Sequence, residues 1–334
     1  IDFMTYATTG NAADFGDMSV ARGYSAGMNN SVRGIFGAGK DPSNNRLNTA
    51  DYVTMTSLGN AIDFGDLTVA RQEVASASSP TRGLACGGQN SPSSPYYTNT
   101  IDYLTIATTG NAIDFGDNAY SATQVSGCSS STRGTFMAGQ APGYQNIISY
   151  VEIASEGNAI DFGDLSAAKT SGAAASNSVR GIYAGGEVPG DSNPINVIEE
   201  FRIAVGGVVT DFGDLATARK NIGAGSNQNG GLNDGYQGTR PLPAGSGRAL
   251  FGGGIQPAST NVIDFITMST LGNAADFGDL RFNRYYHSAF ASSTRFFSMA
   301  GVDGTGATSH TDDIEYVNFA SKGNCSFFSD GTVT

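Results

Sequence analysis

The 334-residue chain has no tryptophan, two histidines and three cysteines, and it is poor in basic residues, with 18 Lys and Arg against 30 Asp and Glu. Its net charge of −12 argues against nucleic acid or an anionic membrane surface as a partner, because both attract clustered Lys and Arg. No apolar run approaches the roughly 20 residues that a membrane-spanning helix needs, so we expect no membrane insertion. The chain opens at Ile1 without a signal-like segment, which leads us to expect a start part-way through a longer product or after processing.

The scarcity of Cys and His also limits the chemistry that the chain can carry. Cys86, Cys128 and Cys325 each stand where other repeats have a small residue, so we expect buried thiols and no disulfide framework. Neither His287 nor His310 has a His or Cys at zinc-binding spacing, and we expect His287 to make a polar contact at the surface. No Ser-His-Asp set and no phosphate-binding glycine loop before a helix can be nominated. The sequence therefore predicts a protein that is not an enzyme and uses no cofactor or metal.

Glycine, by contrast, is abundant at 46 residues, and one string returns at regular intervals. The string "GNAADFGDMSVAR" at residues 10–22 is nearly the same as "GNAIDFGDLTVAR" at residues 59–71. The first Asp of its "DFGD" motif recurs at spacings of 47 to 65 residues, at Asp14, Asp63, Asp114, Asp161, Asp211 and Asp276. A decayed seventh copy, "GNCSFFSDGTV", aligns Asp330 with Asp17. This periodicity indicates a repeat architecture.

Each repeat contains four segments that predict β-strands. Small residues, as in "ASASSPT", predict a crowded innermost strand A, and an apolar run closed by glycines, as in "RGIFGAG", predicts strand B. Alternating apolar and polar residues, as in "IDYLTIATTG", predict strand C. The "DFGDLTVAR" segment predicts strand D, with Gly16 and its equivalents as a bulge or a point of close approach.

Four-stranded units at this period are typical of β-propeller blades, so the sequence predicts a single all-β propeller domain. The order of strands A and B, the paired glycines that end B and the strand C that leads into a turn resemble the kelch repeat, although the Trp usual at the kelch C–D corner is missing. The "TTGNAIDFGD" string, followed by an "STRG" turn and a glycine-closed strand, is similar to kelch-like arrays in virion proteins of marine bacteriophages, especially cyanophages. The resemblance covers essentially the whole chain and implies a structural protein of the virion.

The number of blades depends on how the repeats divide the chain. Residues 1–22 contain only strands C and D, a half-blade, and six complete sets follow them. Those sets are residues 23–71, 72–122, 123–169, 170–219, 220–284 and 285–334. We favour a seven-bladed ring whose first A–B pair lies outside this chain or comes from a neighbour. The alternative is a six-bladed ring with an extra N-terminal hairpin.

Repeated side chains are expected to hold neighbouring blades together. Burial of one Phe contributes roughly 1.5–3 kcal/mol, and we predict that the Phe of each "DFGD" packs between blades: Phe15, Phe64, Phe115, Phe162, Phe212 and Phe277. The Arg that opens each strand B is predicted to bond an Asp or a C–D turn carbonyl: Arg33, Arg82, Arg133, Arg180, Arg248 and Arg295. Five other basic residues keep the same period and are expected to be placed by the architecture: Arg22, Arg71, Lys169, Arg219 and Arg284. Calcium binding by the paired Asp residues is disfavoured, because residues three apart point to opposite faces of a regular strand.

The B–C loops differ most between repeats, so we expect function to lie on the face that they share with the D-to-A connections. Aromatic and amide side chains there are suited to sugar rings, and the candidate ligand-binding residues are Tyr96, Tyr97, Tyr144, Asn146, Tyr285 and Tyr286. On the opposite face, one A–B turn carries an insertion, Ser226–Gly247. Its candidate interface residues are Asn233, Asp234, Tyr236 and Arg240.

Three functions follow as alternatives. The first is a non-enzymatic virion protein of a tail fibre or another appendage, which packs against sister subunits or other virion proteins as part of a homo-oligomer or larger assembly. The second is a receptor-recognition module that binds host cell-surface glycan through the B–C loop face. The third is a kelch-like scaffold of cellular origin that binds a protein partner.

Overall fold

The computed structural model describes residues 1–5, 12–90, 96–190, 193–227, 247–303 and 310–331. Within these residues the chain forms β-strands and no helix, and nothing in them could cross a membrane as a helix. Six four-stranded antiparallel sheets follow one another along the chain as the blades of a propeller ring. The prediction of an all-β propeller with four strands to a blade is confirmed.

The chain enters the ring through a two-stranded ribbon, β1 (Asp2–Phe3) and β2 (Ala13–Asp14). Blade 1 consists of β3 (Ala26–Asn29), β4 (Arg33–Gly37), β5 (Thr49–Thr54) and β6 (Ile62–Asp66). Blade 2 consists of β7 (Ala75–Ser78), β8 (Arg82–Cys86), β9 (Thr100–Thr105) and β10 (Ile113–Asp117). Blade 3 consists of β11 (Ser126–Ser129), β12 (Arg133–Met137), β13 (Gln145–Glu152) and β14 (Ile160–Lys169).

Blade 4 consists of β15 (Ala173–Ser176), β16 (Arg180–Ala184), β17 (Val197–Arg202) and β18 (Thr210–Asp214). Blade 5 consists of β19 (Gly223–Ser226), β20 (Arg248–Gly252), β23 (Val262–Thr267) and β24 (Ala275–Asp279), with the short accessory strands β21 (Ile255–Gln256) and β22 (Ala258–Ser259). Blade 6 consists of β26 (Ser288–Ala291), β27 (Arg295–Met299), β29 (Asp313–Asn318) and β30 (Ser326–Asp330), with the short accessory strands β25 (Arg284–Tyr285) and β28 (Val302–Asp303). In every blade the four main strands pair in the order A, B, C, D.

The hydrophobic core lies between the blades. Phe64 and Leu67 of blade 1 pack with Leu104, Ile106 and Ala112 of blade 2 in one buried cluster. Every described "DFGD" Phe is buried, and most of them meet the ring of a strand C aromatic edge-on, as Phe64 meets Tyr52 at 5.7 Å between ring centroids. Burial of the same aromatic position in each repeat gives successive blades the same packing and therefore the same relative orientation.

The A strands surround a central cavity of about 260 Å³, which is lined by small side chains from all six blades. Serine hydroxyls link one A strand to the previous one: Ser129 donates to the Ser78 carbonyl at 3.1 Å, Ser176 to Ser129 at 2.9 Å and Ser226 to Ser176 at 2.7 Å. Small residues are required here because the strands converge on the axis.

The "DFGD" glycine lies at a bulge and at a contact between blades. In blades 1 to 5 the register between strands C and D shifts by one residue at this motif, for instance between Asp114 and Gly116, and in blade 6 the shift lies in the decayed copy, between Phe327 and Ser329. Gly65 has φ +138°, and a Cβ there would lie 2.5 Å from the carbonyl carbon and oxygen of Gly110 in the next blade. Both backbone conformation and space therefore select glycine.

The described strands give six complete blades and one ribbon, so the seven-bladed ring that we favoured is not what this chain builds by itself. Among the described residues β1 pairs with β2 and with no other strand. The six-bladed alternative with an additional N-terminal hairpin matches the observed strands.

Gly65→Ala is expected to destabilise the fold more than Gly110→Ala. Both glycines have strongly positive φ, which costs about 1–3 kcal/mol for a residue with a Cβ. Gly110 faces open space, whereas Gly65 faces the backbone of the next blade, so only Gly65→Ala adds a clash. Urea unfolding of the two variants measures the difference, and equal losses would show that the blades do not approach as closely as described.

Candidate functional site

A basic side chain buried near the end of strand D is the most regular charged feature of the blade interfaces. Arg71, at the end of blade 1, is fully buried and reaches into blade 2, where its Nη2 lies 2.8 Å from Oδ2 of Asp102. The same guanidinium donates to the carbonyls of Thr100 at 2.7 Å and Ala85 at 3.1 Å. One side chain thus binds both strands B and C of the next blade.

The same pairing recurs around the ring. A cation at the end of one unit pairs with an acidic residue of strand C in the next: Arg22 with Asp51, Arg71 with Asp102, Lys169 with Glu199, Arg219 with Asp264, and Arg284 with Glu315. The junction of blades 2 and 3 is uncharged. There Tyr120 donates to the Ala138 carbonyl at 2.9 Å, and Ser149 in place of the acid donates to Asn118.

Because both charges of each pair are buried, the junction is stable only when both partners are present. Burial lowers the pKa of the Arg71 guanidinium, and the Asp102 carboxylate opposes that shift. A buried pair gains little over an apolar pair of the same shape, but loss of one partner leaves a charge without compensation in a dry interface. The sequence showed the period of the basic residues but not their partners. The signal that could have found them was the acid at the second position of the C segments, as in "IDYLTIATTG", which Ser149 replaces in blade 3.

The Arg that opens strand B lies at the opposite end of the blade. Four of the six donate from Nη1 to a carbonyl at the start of the C–D turn of the next blade: Arg33 to Ile106 at 2.9 Å, Arg82 to Ile153 at 3.0 Å, Arg133 to Ile203 at 2.9 Å, and Arg248 to Phe319. Most of the six also lie over the strand C aromatic ring of their own blade, as Arg82 does over Tyr103 at 4.3 Å. Arg180 instead bonds Glu200 at 2.6 Å and Arg295 bonds Asn318 at 3.3 Å, both within their own blade.

The hydrogen bonds described for these arginines end on other groups, and the first Asp of the "DFGD" motif bonds locally in four of the repeats. Oδ1 of Asp14 accepts the Gly16 N–H at 2.9 Å, which closes the bulge, and Asp63 does the same for Gly65. Within the described chain, the carboxylates placed closely enough to share a cation are those of Asp312, Asp313 and Asp330 in blade 6, where Arg281 lies 3.7 Å from Asp313.

The B–C loops and the D-to-A connections do share one face. Short bridges join them in each blade, for example Gln72 with Gln89 and Thr170 with Glu187. Polar side chains cross from blade to blade on this face, which we call the loop face. Tyr144 of blade 3 donates to Glu187 of blade 4 at 3.0 Å, and Lys220 of blade 5 pairs with the same carboxylate.

The candidate ligand-binding residues divide into separate groups on the loop face. Tyr96 is exposed and lies against Tyr97, which packs on the core between blades 2 and 3. Tyr286 is 69% exposed and contacts Tyr285 at 5.1 Å between ring centroids, in the connection from blade 5 to blade 6. The hydroxyl of Tyr144 is engaged by Glu187, and Asn146 lies half-buried in strand C of blade 3. Asn233, Asp234, Tyr236 and Arg240 lie outside the described residues.

His287 is buried, so the expectation of a surface contact was wrong. Its Nδ1 lies 2.8 Å from the Ser298 hydroxyl, and its Nε2 lies 3.0 Å from the Gly252 carbonyl and 3.2 Å from the Gly223 N–H of blade 5. Burial lowers the pKa of His287 to about 4, which keeps the ring neutral. The three cysteines are buried free thiols, and burial raises the pKa of Cys128 to about 11.

Comparison with known proteins supports the fold and goes no further. No protein-family model matches the chain, and no curated protein matches it. The chain is similar to a solved structure described as "Structure of YjhT", with a TM-score of 0.66 and 9% sequence identity. That match covers 93% of this chain and 98% of the other. At this identity the likeness shows a propeller fold alone, and the kelch and phage resemblances stay predictions.

Arg71→Met is expected to lower the free energy of unfolding by about 3–5 kcal/mol, because Asp102 is left buried and unpaired. The double variant Arg71→Met with Asp102→Asn should recover part of that loss, because the uncompensated charge is removed. Arg202→Met, at an exposed position, is the matched control and should change the free energy of unfolding by less than about 0.5 kcal/mol. Urea denaturation measures the free energy of unfolding of all three variants. If Arg71→Met loses no more of it than Arg202→Met does, the ion-pair assignment is contradicted.

The buried neutral His287 predicts a loss of stability at mildly acidic pH. In the unfolded chain its pKa is near 6.5 and in the folded protein about 4, so the unfolded state binds the extra proton as pH falls through this window. Folding stability should therefore be full above pH 6.5, decrease by up to about 1.4 kcal/mol per pH unit between pH 6.5 and about 4, and lose no more from this group below that.

Denaturation of His287→Gln across the same pH range should lack this component, while His310→Gln, at an exposed position, should retain it. If both variants follow the unsubstituted protein, the titration comes from another group.

Proposed function

We propose that the protein is a non-enzymatic structural component of a phage virion, placed in a tail fibre or another appendage, where it supports particle assembly and host attachment. Its partners in this proposal are sister subunits or other virion proteins, and its location is the extracellular particle. The similarity of its repeated strings to virion arrays of marine bacteriophages is the starting point.

The observation that carries the proposal is the use of the periodic charged residues. The cations at the ends of the D segments are buried against strand C acids, and four strand B arginines bond turn carbonyls of the next blade. The charged residues that recur with the repeat are therefore bonded within the ring. Rigid positioning is what a particle protein requires, and it leaves the loops free to vary.

The face that carries the A–B and C–D turns, which we call the turn face, supports packing against other proteins. In three consecutive blades the residue before "DFGD" is an isoleucine that is more than half exposed: Ile62, Ile113 and Ile160. Apolar residues in the C–D turns add to this rim, namely Leu58, Val205, Val208 and Leu271. Recurring exposed apolar side chains mark sites of protein–protein contact.

Glycan binding at the loop face is the second candidate function. Tyr96 and Tyr286 present exposed aromatic faces there, and such rings stack on the apolar faces of sugars. Host attachment by a virion protein would combine this activity with the structural role. A cellular kelch-like scaffold that binds a protein partner is the third candidate, and it would use the same exposed surfaces.

Two sets of substitutions separate the roles of the two faces. Ile62→Thr, Ile113→Thr and Ile160→Thr together remove the apolar rim but keep β-branched residues in strand D. Tyr96→Ala with Tyr286→Ala removes the exposed rings of the loop face. We expect the first variant to reduce self-association in sedimentation experiments by at least about tenfold, without changing the response on a microbial glycan array. The second variant should reduce the response on the glycan array and leave self-association unchanged.

Immunogold electron microscopy with antibodies against the protein then tests its location. Labelling of assembled particles in lysates of cells that express the gene supports the virion role. Labelling confined to cellular material, together with a monomer that binds no surface polysaccharide, would replace it with the cellular scaffold.

A further inference from the structure

We infer that the β1–β2 ribbon is an incomplete blade whose inner edge, along β1, accepts a β-hairpin of the A–B type, other than the six in this sequence. The occupant would supply a small-residue strand and an Arg-Gly-apolar strand, which would pair with β1 and complete a seventh position in the ring. The inference concerns ring closure and does not depend on the proposed virion role.

Contacts place the ribbon between blade 6 and blade 1. On one side, the carbonyl of Phe15 accepts the Gly59 N–H of blade 1 at 2.8 Å, the contact that Phe64 makes with Gly110 between blades 1 and 2. On the other side, Ala12 belongs to a buried cluster with Phe297 and Phe328 of blade 6. The ribbon therefore occupies a full position in the ring, with strands C and D of a blade.

The register identifies β1 as a strand C that lacks its strand B. Asp2 pairs with Asp14 across the ribbon as Asp51 pairs with Asp63 across blade 1. In the six complete blades, the residues equivalent to Ile1 are all fully buried: Ala50, Ile101, Ile148, Ile198, Ile263 and Ile314. Ile1 itself is only half-buried, as is Asp2, whose six equivalents are also buried. The missing cover is the strand that each of the other C strands has beside it.

The inner strands show the same interruption. Strands A of consecutive blades contact each other from β3 through β7, β11, β15 and β19 to β26, but β26 and β3 make no comparable contact. A Cβ on Gly127 would collide with Ser76 in the preceding blade at 2.5 Å, whereas a Cβ on the equivalent Gly27 would meet nothing within 4 Å. On the other flank, no residue of β26 is buried, unlike those of the other A strands.

The sizes of the side chains that face each other between blades indicate which hairpin would fit. The third residue of strand A faces the second residue of strand B in the next blade: Met28 faces Gly83, Ala77 faces Gly134, and Gly225 faces Phe296. Where one of the two residues is large, as Met28 and Phe296 are, the residue facing it is glycine. In blade 6 the third residue is Phe290, which stacks on Phe297 and packs on the cluster that contains Met4. The incoming strand B must therefore carry glycine opposite Phe290.

A synthetic peptide with the sequence of residues 170–186, the A–B hairpin of blade 4, is the probe. It contains no cysteine and places Gly181 opposite Phe290. Added to the full chain, it should bind saturably by isothermal titration calorimetry, raise the Tm and slow amide hydrogen exchange in residues 1–5. The same hairpin appended after Thr334 provides a covalent version, which should raise the Tm without added peptide.

A size swap tests the orientation of the occupant. The peptide with Gly181→Phe should bind the unsubstituted chain at least about tenfold more weakly, because two large rings would meet. The Phe290→Gly chain should restore binding of that peptide, as Gly225 accommodates Phe296. A general loss of folding in Phe290→Gly would instead lower the Tm and abolish binding of both peptides, so rescue by the Gly181→Phe peptide identifies the pairing.

Two results would overturn the inference. One is that neither the free nor the appended hairpin changes the Tm or the exchange of residues 1–5. The other is that the chain forms a concentration-dependent dimer that protects residues 1–5 and that the hairpin does not displace, which would assign the edge to a second copy.

Discussion

Six successive junctions, from the ribbon and blade 1 to blades 5 and 6, depend on a side chain that leaves the end of one strand D and reaches into the next blade. Arg71 illustrates the constraint, since one guanidinium bonds a carboxylate of strand C and carbonyls of strands B and C. Because the charge is dry, the partner must be present and correctly oriented, and this fixes how far one blade can move against the next. The uncharged junction at Tyr120 and Ser149 satisfies the same need with hydroxyl groups.

The two faces of the ring differ because backbone atoms join neighbouring blades on the turn face, whereas side chains join them on the loop face. On the turn face, backbone approaches backbone at the "DFGD" glycine, so the strings there tolerate little change. On the loop face, side chains such as Glu187 and Lys220 join the blades above a buried layer, and loops of different length fit over it. The regularity of one face and the diversity of the other follow from this difference.

The β1–β2 ribbon makes the strand C and strand D contacts of a complete blade but has no strands A and B beside it among the described residues. Its strand D uses the bulge and the turn contact of a complete blade, and its strand C lies against blade 6. The neighbouring A strands are separated there, and the residues that other blades bury remain partly open. Within the described residues the chain thus forms six complete blades and a two-stranded ribbon that contacts both blade 6 and blade 1.

The sequence by itself determined the four-stranded repeat, the small inner strands, the bulge glycine and the loop face, because each follows from local periodicity, chirality or residue size. It placed the buried cations on the period but could not pair Arg71 with Asp102, since the partners are 31 residues apart and meet only when two blades dock. His287 was misjudged for the same reason, because its burial depends on blade 5. The number of complete blades was also decided by the tertiary structure, since the position of a two-stranded ribbon depends on which blades lie on either side of it.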